Sequence, residues 1–375
     1  MTNKKGLYLH IPFCVKKCHY CDFLSAPATE LERKSYIFAL KEEILAYQKH
    51  EYCADTIFFG GGTPSILSVE EIKMLIEALY RVFTISKQAE ITIECNPETV
   101  DKGKLSALRE MGFNRVSFGL QSTLDQELLT LGRVHNYDKF LNAYQIAEEE
   151  GFSNINIDLM SAIPGQTMES WEETLRKVLA LNPSHISAYS LIIEEGTVFY
   201  NKQEELDLPG EETERLMYYK TGELLSKAGY QQYEISNYAK PGKESRHNLK
   251  YWSLEEYIGM GLGAFSYLEG ARFHNPASME AYKRDCGCLA KLRQEEEYLA
   301  ESQQMEEFCF LGLRKRKGIG EKEFSNRFGQ EIDTIYGKVI EKFQKMGLLI
   351  REDGRIFLSR QGIDVSNQVF AEFLL

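Results

Sequence analysis

The chain has 375 residues, 43% of them hydrophobic and 27% charged, the balance of a folded globular protein long enough for one large domain and an appendage. Lys and Arg number 44 against 56 Asp and Glu, a formal charge of −12, and with no basic segment to offset it the chain is not expected to bind nucleic acid. No uncharged run approaches the ~20 apolar residues of a membrane span. No apolar stretch follows Lys4 and Lys5 as in a signal peptide, so a cytoplasmic location is expected.

Strand-like segments are expected over 6–12, 56–59, 90–95, 115–120, 154–160 and 185–192. They are short, rich in β-branched and aromatic residues, and closed by Gly, Pro, Asn or Ser, as buried parallel strands are. Helical patterns fall between them at 30–50, 69–83, 102–111, 137–150 and 169–180, with Asp101 as an N-cap and Gly112 and Gly151 as C-caps. Six βα units in a row predict an α/β fold, a partial (β/α)6 barrel whose count leaves it open on one side. A helix at 210–228, a strand at 233–235 and an irregular Gly-, Asn- and aromatic-rich stretch follow. From 294 the pattern reads as helical and acidic, with short helices at 322–328 and 334–346. Two apolar runs around Asp353-Gly354 then predict a hairpin. Helix, helix, hairpin is a winged-helix-like arrangement, which does not by itself imply DNA binding. The expected organisation is a barrel over 1–236, a connecting region over 237–300 and a C-terminal helical domain with a hairpin over 301–375.

The eight cysteines are too few for a disulfide scaffold, but Cys14, Cys18 and Cys21 fall within eight residues just beyond the first strand. Two readings suit that spacing. One is zinc, with His10, His19 or Cys53 as a fourth ligand. The other is three thiolates holding a [4Fe–4S] cluster whose fourth iron stays open to an exchangeable ligand. The remaining candidates lie where a barrel concentrates chemistry, at the C-terminal ends of strands. Gly60-Gly61-Gly62-Thr63-Pro64 follows the second strand and is either a tight turn or a close backbone approach to a ligand. Glu94 ends the third strand, where a carboxylate among apolar residues needs a partner, either a ligand cation or a neighbouring lysine or amide. Gln121 ends the fourth strand and Asp158 lies in the fifth. Arg133, in Leu131-Gly132-Arg133-Val134-His135, is either a surface ion pair or a bidentate anion clamp.

Cys-x-x-x-Cys-x-x-Cys with an aromatic before the last cysteine, on the loop after strand one, resembles the motif of the radical S-adenosylmethionine (radical SAM) enzymes. That resemblance implies a cluster on Cys14, Cys18 and Cys21 whose open iron chelates SAM. It also implies that Gly61, Gly62, Thr63 and Glu94 meet the SAM amino group. Arg133 then faces its carboxylate, Gln121 and Asp158 its ribose, and Tyr8 its methionyl group. Tyr8-x-His10-x-Pro12-Phe13-Cys14, Gly119-Leu120-Gln121, Leu131-Gly132-Arg133-x-His135, Pro164-Gly165-Gln166-Thr167 and the segment 348–375 are similar, across essentially the whole chain, to the oxygen-independent coproporphyrinogen III oxidase group. That group contains decarboxylating oxidases and HemW-type haem chaperones. The oxidases carry a further cysteine two residues after the third, where this chain has Phe23, and a longer segment before the cluster than the thirteen residues here. His247-Asn248-Leu249-Lys250-Tyr251-Trp252 resembles the His-Asn-x-x-Tyr-Trp sequence of the chaperone branch. The resemblance therefore implies a chaperone that binds haem and delivers it to haem-accepting proteins such as respiratory haemoproteins, with an electron donor for the cluster. In that reading His247 is an axial ligand, with Tyr251 and Trp252 against the macrocycle. The alternative is the oxidase.

Overall fold

The structure, a computed structural model, describes residues 4–375. Met1, Thr2 and Asn3, part of the stretch read above for a leader, lie outside the described residues. Six parallel strands form the centre of one sheet: β1 (Lys5–Ile11), β2 (Cys53–Gly61), β3 (Thr84–Cys95), β4 (Arg115–Gln121), β5 (Ile155–Ser161) and β6 (His185–Ser190), each paired with the next. Helices α1 (Glu30–Ala46), α2 (Val69–Val82), α3 (Lys102–Glu110), α4 (Asp125–Thr130), α5 (Tyr137–Glu149) and α6 (Met168–Leu181) lie between them. The strands are buried on both faces, the pattern of β1 and β5 being buried at six of seven positions. That is what a sheet with helices on one side and a filled interior on the other requires. Helix boundaries follow local chemistry. Ser68 and Glu71 close a capping box at the start of α2, and Asn182 ends α6 in the left-handed conformation.

β1 and β6 do not pair with each other, so the barrel stays open as expected. Each edge is instead extended by later strands. β7 (Gln231–Gln232) and β8 (Asn237–Ala239) form an antiparallel hairpin on β6. β9 (Tyr257–Met260) runs parallel to β1, and β10 (Phe265–Leu268), β11 (Ala271–His274) and β12 (Gln294–Tyr298) continue antiparallel beyond it. Two expectations are corrected here. The stretch 233–235 is the turn of the β7–β8 hairpin, closed by Tyr233 N–H donating to the Asn237 carbonyl. The acidic segment from 294 begins as an edge strand rather than a helix, because its backbone bonds to β11 and its carboxylates remain in water. Charged side chains on an exposed edge also discourage further pairing.

The C-terminal part packs a second apolar core around Phe308, Phe324, Tyr336, Ile340 and Phe373, with Leu254 and Tyr267 joining it from the preceding segment. β13 (Ile319–Gly320), helices Glu321–Phe328 and Ile332–Lys345, and the hairpin of β14 (Leu349–Glu352) and β15 (Arg355–Leu358) follow in chain order, and the three strands form one sheet with β15 in the middle. Asp353 and Gly354 turn the hairpin with φ of 50° and 71°, the two positive values that a two-residue connection needs.

One buried strut fastens the extension to the barrel. Glu43 of α1 accepts hydrogen bonds from the Gly261 amide at 2.8 Å, Asn275 Nδ2 at 2.7 Å and the Tyr282 hydroxyl at 2.6 Å. Burial pushes its carboxyl up to about 7 despite these donors. Between the ordinary value of 4.5 and about 7 the folded protein holds a proton that the unfolded chain releases. Stability from this group therefore falls as pH rises through that window. Glu43→Gln should flatten the fall, which is on the order of 3 kcal/mol for a shift of this size. Urea unfolding at about pH 5 and about pH 7.5 measures it, and an equal slope in the variant would contradict the assignment.

Candidate cofactor site

Parallel pairing brings Ile11, Gly61, Cys95, Gln121 and Ser161 to one rim, and the cysteine loop crosses that rim. The loop is held by backbone bonds from Cys14 N–H to Ala26 O (3.2 Å) and from His19 N–H to Leu131 O (2.9 Å). His19 Nδ1 also pairs with Thr130 O at 2.9 Å. From the other side Gly62 and Thr63 amides donate to Ile11 O (2.8 Å) and Phe13 O (2.7 Å), and Thr63 Oγ1 lies 3.5 Å from Cys14 Sγ. A Cβ on Gly62 would sit 2.7 Å from the Phe13 carbonyl oxygen and 3.0 Å from Cys14 Sγ. Gly61 has φ +108°, and a Cβ there would strike the His10 ring at 2.6 Å. The glycine run is therefore a close backbone approach to the cysteine loop.

Behind the loop lies a cavity of about 140 Å³. Cys14, Cys18, Cys21, Gly61, Gly62, Thr63, Glu94, Gln121, Arg133 and Asp158 all line it, so ten of the sequence candidates converge on one space. Glu94 Oε2 accepts from the Gly61 amide at 3.2 Å. Burial, and then the neighbouring Asp158 charge, push its carboxyl up to about 8. Asp158 is also raised by burial, although Ser117 Oγ (3.0 Å) and Asn156 Nδ2 (2.7 Å) donate to it. Two neighbouring buried acids, both disfavoured as anions, form a site that a cation would relieve. Arg133 donates through one terminal nitrogen to Gly119 O at 2.5 Å and through the other to Cys18 Sγ at 3.5 Å, while its buried Nε has no partner. An unpaired guanidinium donor beside two acids matches a ligand with an ammonium at one end and a carboxylate at the other. Gln121 has φ +74° at the end of β4, a strained backbone at the rim.

The other candidates lie apart. Tyr8 bonds His10 Nδ1 through its hydroxyl at 3.0 Å and lines a neighbouring cleft with Tyr251 and Trp252. His247 lines neither cavity. It is 1% exposed, under the lower ends of β1 and β2, with Nδ1 paired to Thr56 Oγ1 at 2.8 Å and Nε2 to the Tyr251 hydroxyl at 2.8 Å. Burial, with Lys250 and Arg115 nearby, pushes its imidazole down to about 3. The sequence reading offered this residue as an open iron ligand; in the fold it is a neutral imidazole with both nitrogens engaged. Trp252 does not offer two free faces either, because the Arg314 guanidinium lies 4.4 Å from its ring centroid.

Residues 8–178 match the Radical SAM superfamily, and residues 299–365 match the HemN C-terminal domain. The heme chaperone HemW of Bacillus subtilis (strain 168) is 38% identical over 375 residues, 99% of either chain. That of Lactococcus lactis subsp. lactis (strain IL1403) is 37% identical over 100% of this chain and 98% of its own. The chain belongs to the HemW family of the radical SAM superfamily. The solved coproporphyrinogen III oxidase (HemN) from Escherichia coli shares the fold, with a TM-score of 0.87 at 24% identity over 99% of this chain and 90% of that one.

Membership of the HemW family implies a [4Fe–4S] cluster and SAM, and the donor groups on the cavity wall suit both. All three cysteines are free thiols on its wall. Among the described residues no three His, Cys, Asp or Glu side chains converge as on one metal ion, whereas a cluster takes each thiolate on a separate iron. Sequence reasoning missed the residues that orient the candidates, namely Ser117 and Asn156 around Asp158 and Gly132 against His19. The signal for the first was present, since Arg115, Ser117, Gly119 and Gln121 alternate along β4 and share one face. If the close approach of Gly62 holds the loop, anaerobically reconstituted Gly62→Ala should retain less than half the iron of the parent. Replacing Cys14, Cys18 and Cys21 together by Ala should leave none. Parental iron content in Gly62→Ala would show that the loop can give way.

Proposed function

We propose that this protein is a haem chaperone, binding haem and passing it to haem-accepting proteins such as respiratory haemoproteins. Its three loop thiolates hold a [4Fe–4S] cluster with exchangeable SAM, kept reduced by an electron donor. The likeness to HemW chaperones over the whole chain carries this reading. Phe23, two residues beyond Cys21 where the oxidases of the wider group have a cysteine, supports it. The likeness to HemN concerns the fold, and the oxidase reading serves as the competing outcome.

The cluster, when bound, supplies an electron and an open iron for the amino-acid end of SAM. The chain's own residues orient that end. Glu94 and the Gly61–Thr63 backbone take the ammonium, Arg133 takes the carboxylate through its free Nε, and Asp158 and Gln121 accept and donate to the ribose hydroxyls. Tyr8 of β1, stacked on Phe58, packs toward the methionyl end of SAM. Arg133→Ala and Glu94→Ala should each weaken SAM binding by roughly 1.5–3 kcal/mol, about 10- to 100-fold, as loss of a charge-assisted hydrogen bond does. Equilibrium dialysis with labelled SAM measures this, and parental affinity in both variants would remove these residues from the SAM site.

The chaperone reading has its own measurement. Purified, reconstituted protein should bind haem at about one per chain. With SAM and a reductant it should leave coproporphyrinogen III unconverted. Decarboxylation at an enzymatic rate would establish the oxidase instead.

A further inference from the structure

A cleft of about 880 Å³ opens where the barrel meets the C-terminal part, and none of its residues lines the cysteine cavity. Its volume and its place between two parts of the fold suit a small-molecule site. Helix Glu211–Lys227 forms one wall, the β7–β8 hairpin a second, and Arg316 with helix Arg360–Asp364 a third. The acids on these walls are already paired, Glu172 with Arg176 and Lys220, and Glu223 with Lys220 and Lys227. Among the described residues no carboxylate is paired with Arg316 or Arg360, which share the cleft. Arg360 lies 3.9 Å from the centroid of the Tyr219 ring, whose hydroxyl donates to Asp364. A guanidinium stacked on a ring keeps its N–H edge free for an anion.

The uncharged groups point the same way. Tyr238 lines the cleft and is 2% exposed, yet its hydroxyl has no partner, whereas buried hydroxyls are ordinarily hydrogen-bonded. Gly222 faces that hydroxyl from the middle of helix Glu211–Lys227, where a Cβ would lie 3.7 Å from it. A mid-helix glycine weakens a helix, and here it leaves a notch in the wall. Gln231 and Ser226 add an amide and a second hydroxyl.

We propose that this cleft is a binding site for a nucleoside diphosphate. Two guanidiniums without a carboxylate partner match the charge of a diphosphate. Tyrosine rings match the flat face of a base. The Tyr238 hydroxyl, Ser226 and Gln231 match the donors and acceptors of a ribose and a base edge. A bare phosphate would leave the rings uncovered, and a neutral nucleoside would leave both arginines unpaired. The site is separate from the cofactor rim, so its occupant and SAM bind together.

Equilibrium dialysis of labelled GDP against the full-length, reconstituted protein tests this, with SAM present in excess to fill the cofactor cavity. GDP should bind at about one per chain. Guanosine and inorganic pyrophosphate should each bind at least about tenfold more weakly, since each gives up either the charge-assisted bonds or the stacking. Arg316→Gln should weaken GDP about tenfold or more and leave guanosine unchanged, because it removes a charge partner and no ring. Gly222→Leu, on the opposite wall, fills the notch and should weaken GDP and guanosine alike by about tenfold. Both variants should keep the parental cluster absorbance, which shows that the fold and the cofactor rim are intact. Absence of GDP binding, or its displacement by SAM, would overturn the proposal. Pyrophosphate binding as tightly as GDP would reduce the cleft to a basic patch and overturn it too. So would parental GDP affinity in both variants.

Discussion

Everything at the functional rim depends on how closely the tip of β2 approaches the cysteine loop. Gly62 leaves no room for a side chain between the two, its amide and that of Thr63 donate to the Ile11 and Phe13 carbonyls, and the Gly61 amide donates to Glu94. The same loop is held on its far side by His19 against Thr130 and Leu131, where Gly132, at φ +73°, admits the imidazole ring. The cysteine-rich segment is held as a wall because two glycine-bearing tips clamp it from opposite sides.

The clamp creates an electrostatic problem that a ligand can solve. Glu94 and Asp158 are brought to the wall of one cavity, where burial disfavours both anions and the Asp158 charge adds to the cost of ionising Glu94. Arg133, buried beside Cys18, has an unpaired Nε. An amino acid head with both charges would satisfy the acids and the guanidinium together, and the protein has already met the cost of ordering them.

The opposite end of the barrel shows the reverse arrangement. Helix Arg246–Trp252 plugs the lower ends of β1 and β2. Its Lys250 is bridged to Asp55 and Glu255, and its first amides are accepted by Glu90. His247 sits inside this plug, stacked on Phe58 at 5.2 Å and bonded on both nitrogens. Its role in the fold is to seal the floor, in keeping with barrels that place stability at one end and chemistry at the other. The last turn of the helix, with Tyr251 and Trp252, lines the neighbouring cleft together with Leu311 of the C-terminal part.

Much of this was legible in the residues alone. The alternation of short apolar strands with amphipathic helices specified an open parallel barrel, because buried parallel strands and helix faces have distinct periods. The cysteine spacing, the glycine run and the polar residues at strand ends specified a cofactor rim, because parallel strands deliver their C-terminal ends to one place. Asp353-Gly354 specified its hairpin through backbone conformations that few residue pairs accept. Tertiary structure decided the rest. Whether residues 294–298 formed a helix or a strand depended on a partner strand distant in sequence, which outweighs a weak local preference. Whether His247 faced a ligand or the core depended on Thr56 and Tyr251, one of them 191 residues away, and no local pattern encodes that. The cleft lined by Tyr8, Phe23, Tyr251, Tyr257 and Phe265 arises from five segments that meet only when the sheet extension folds back on the cysteine loop. Local sequence therefore determined which groups were present and which secondary elements carried them. Long-range packing determined which of those groups were left free to bind.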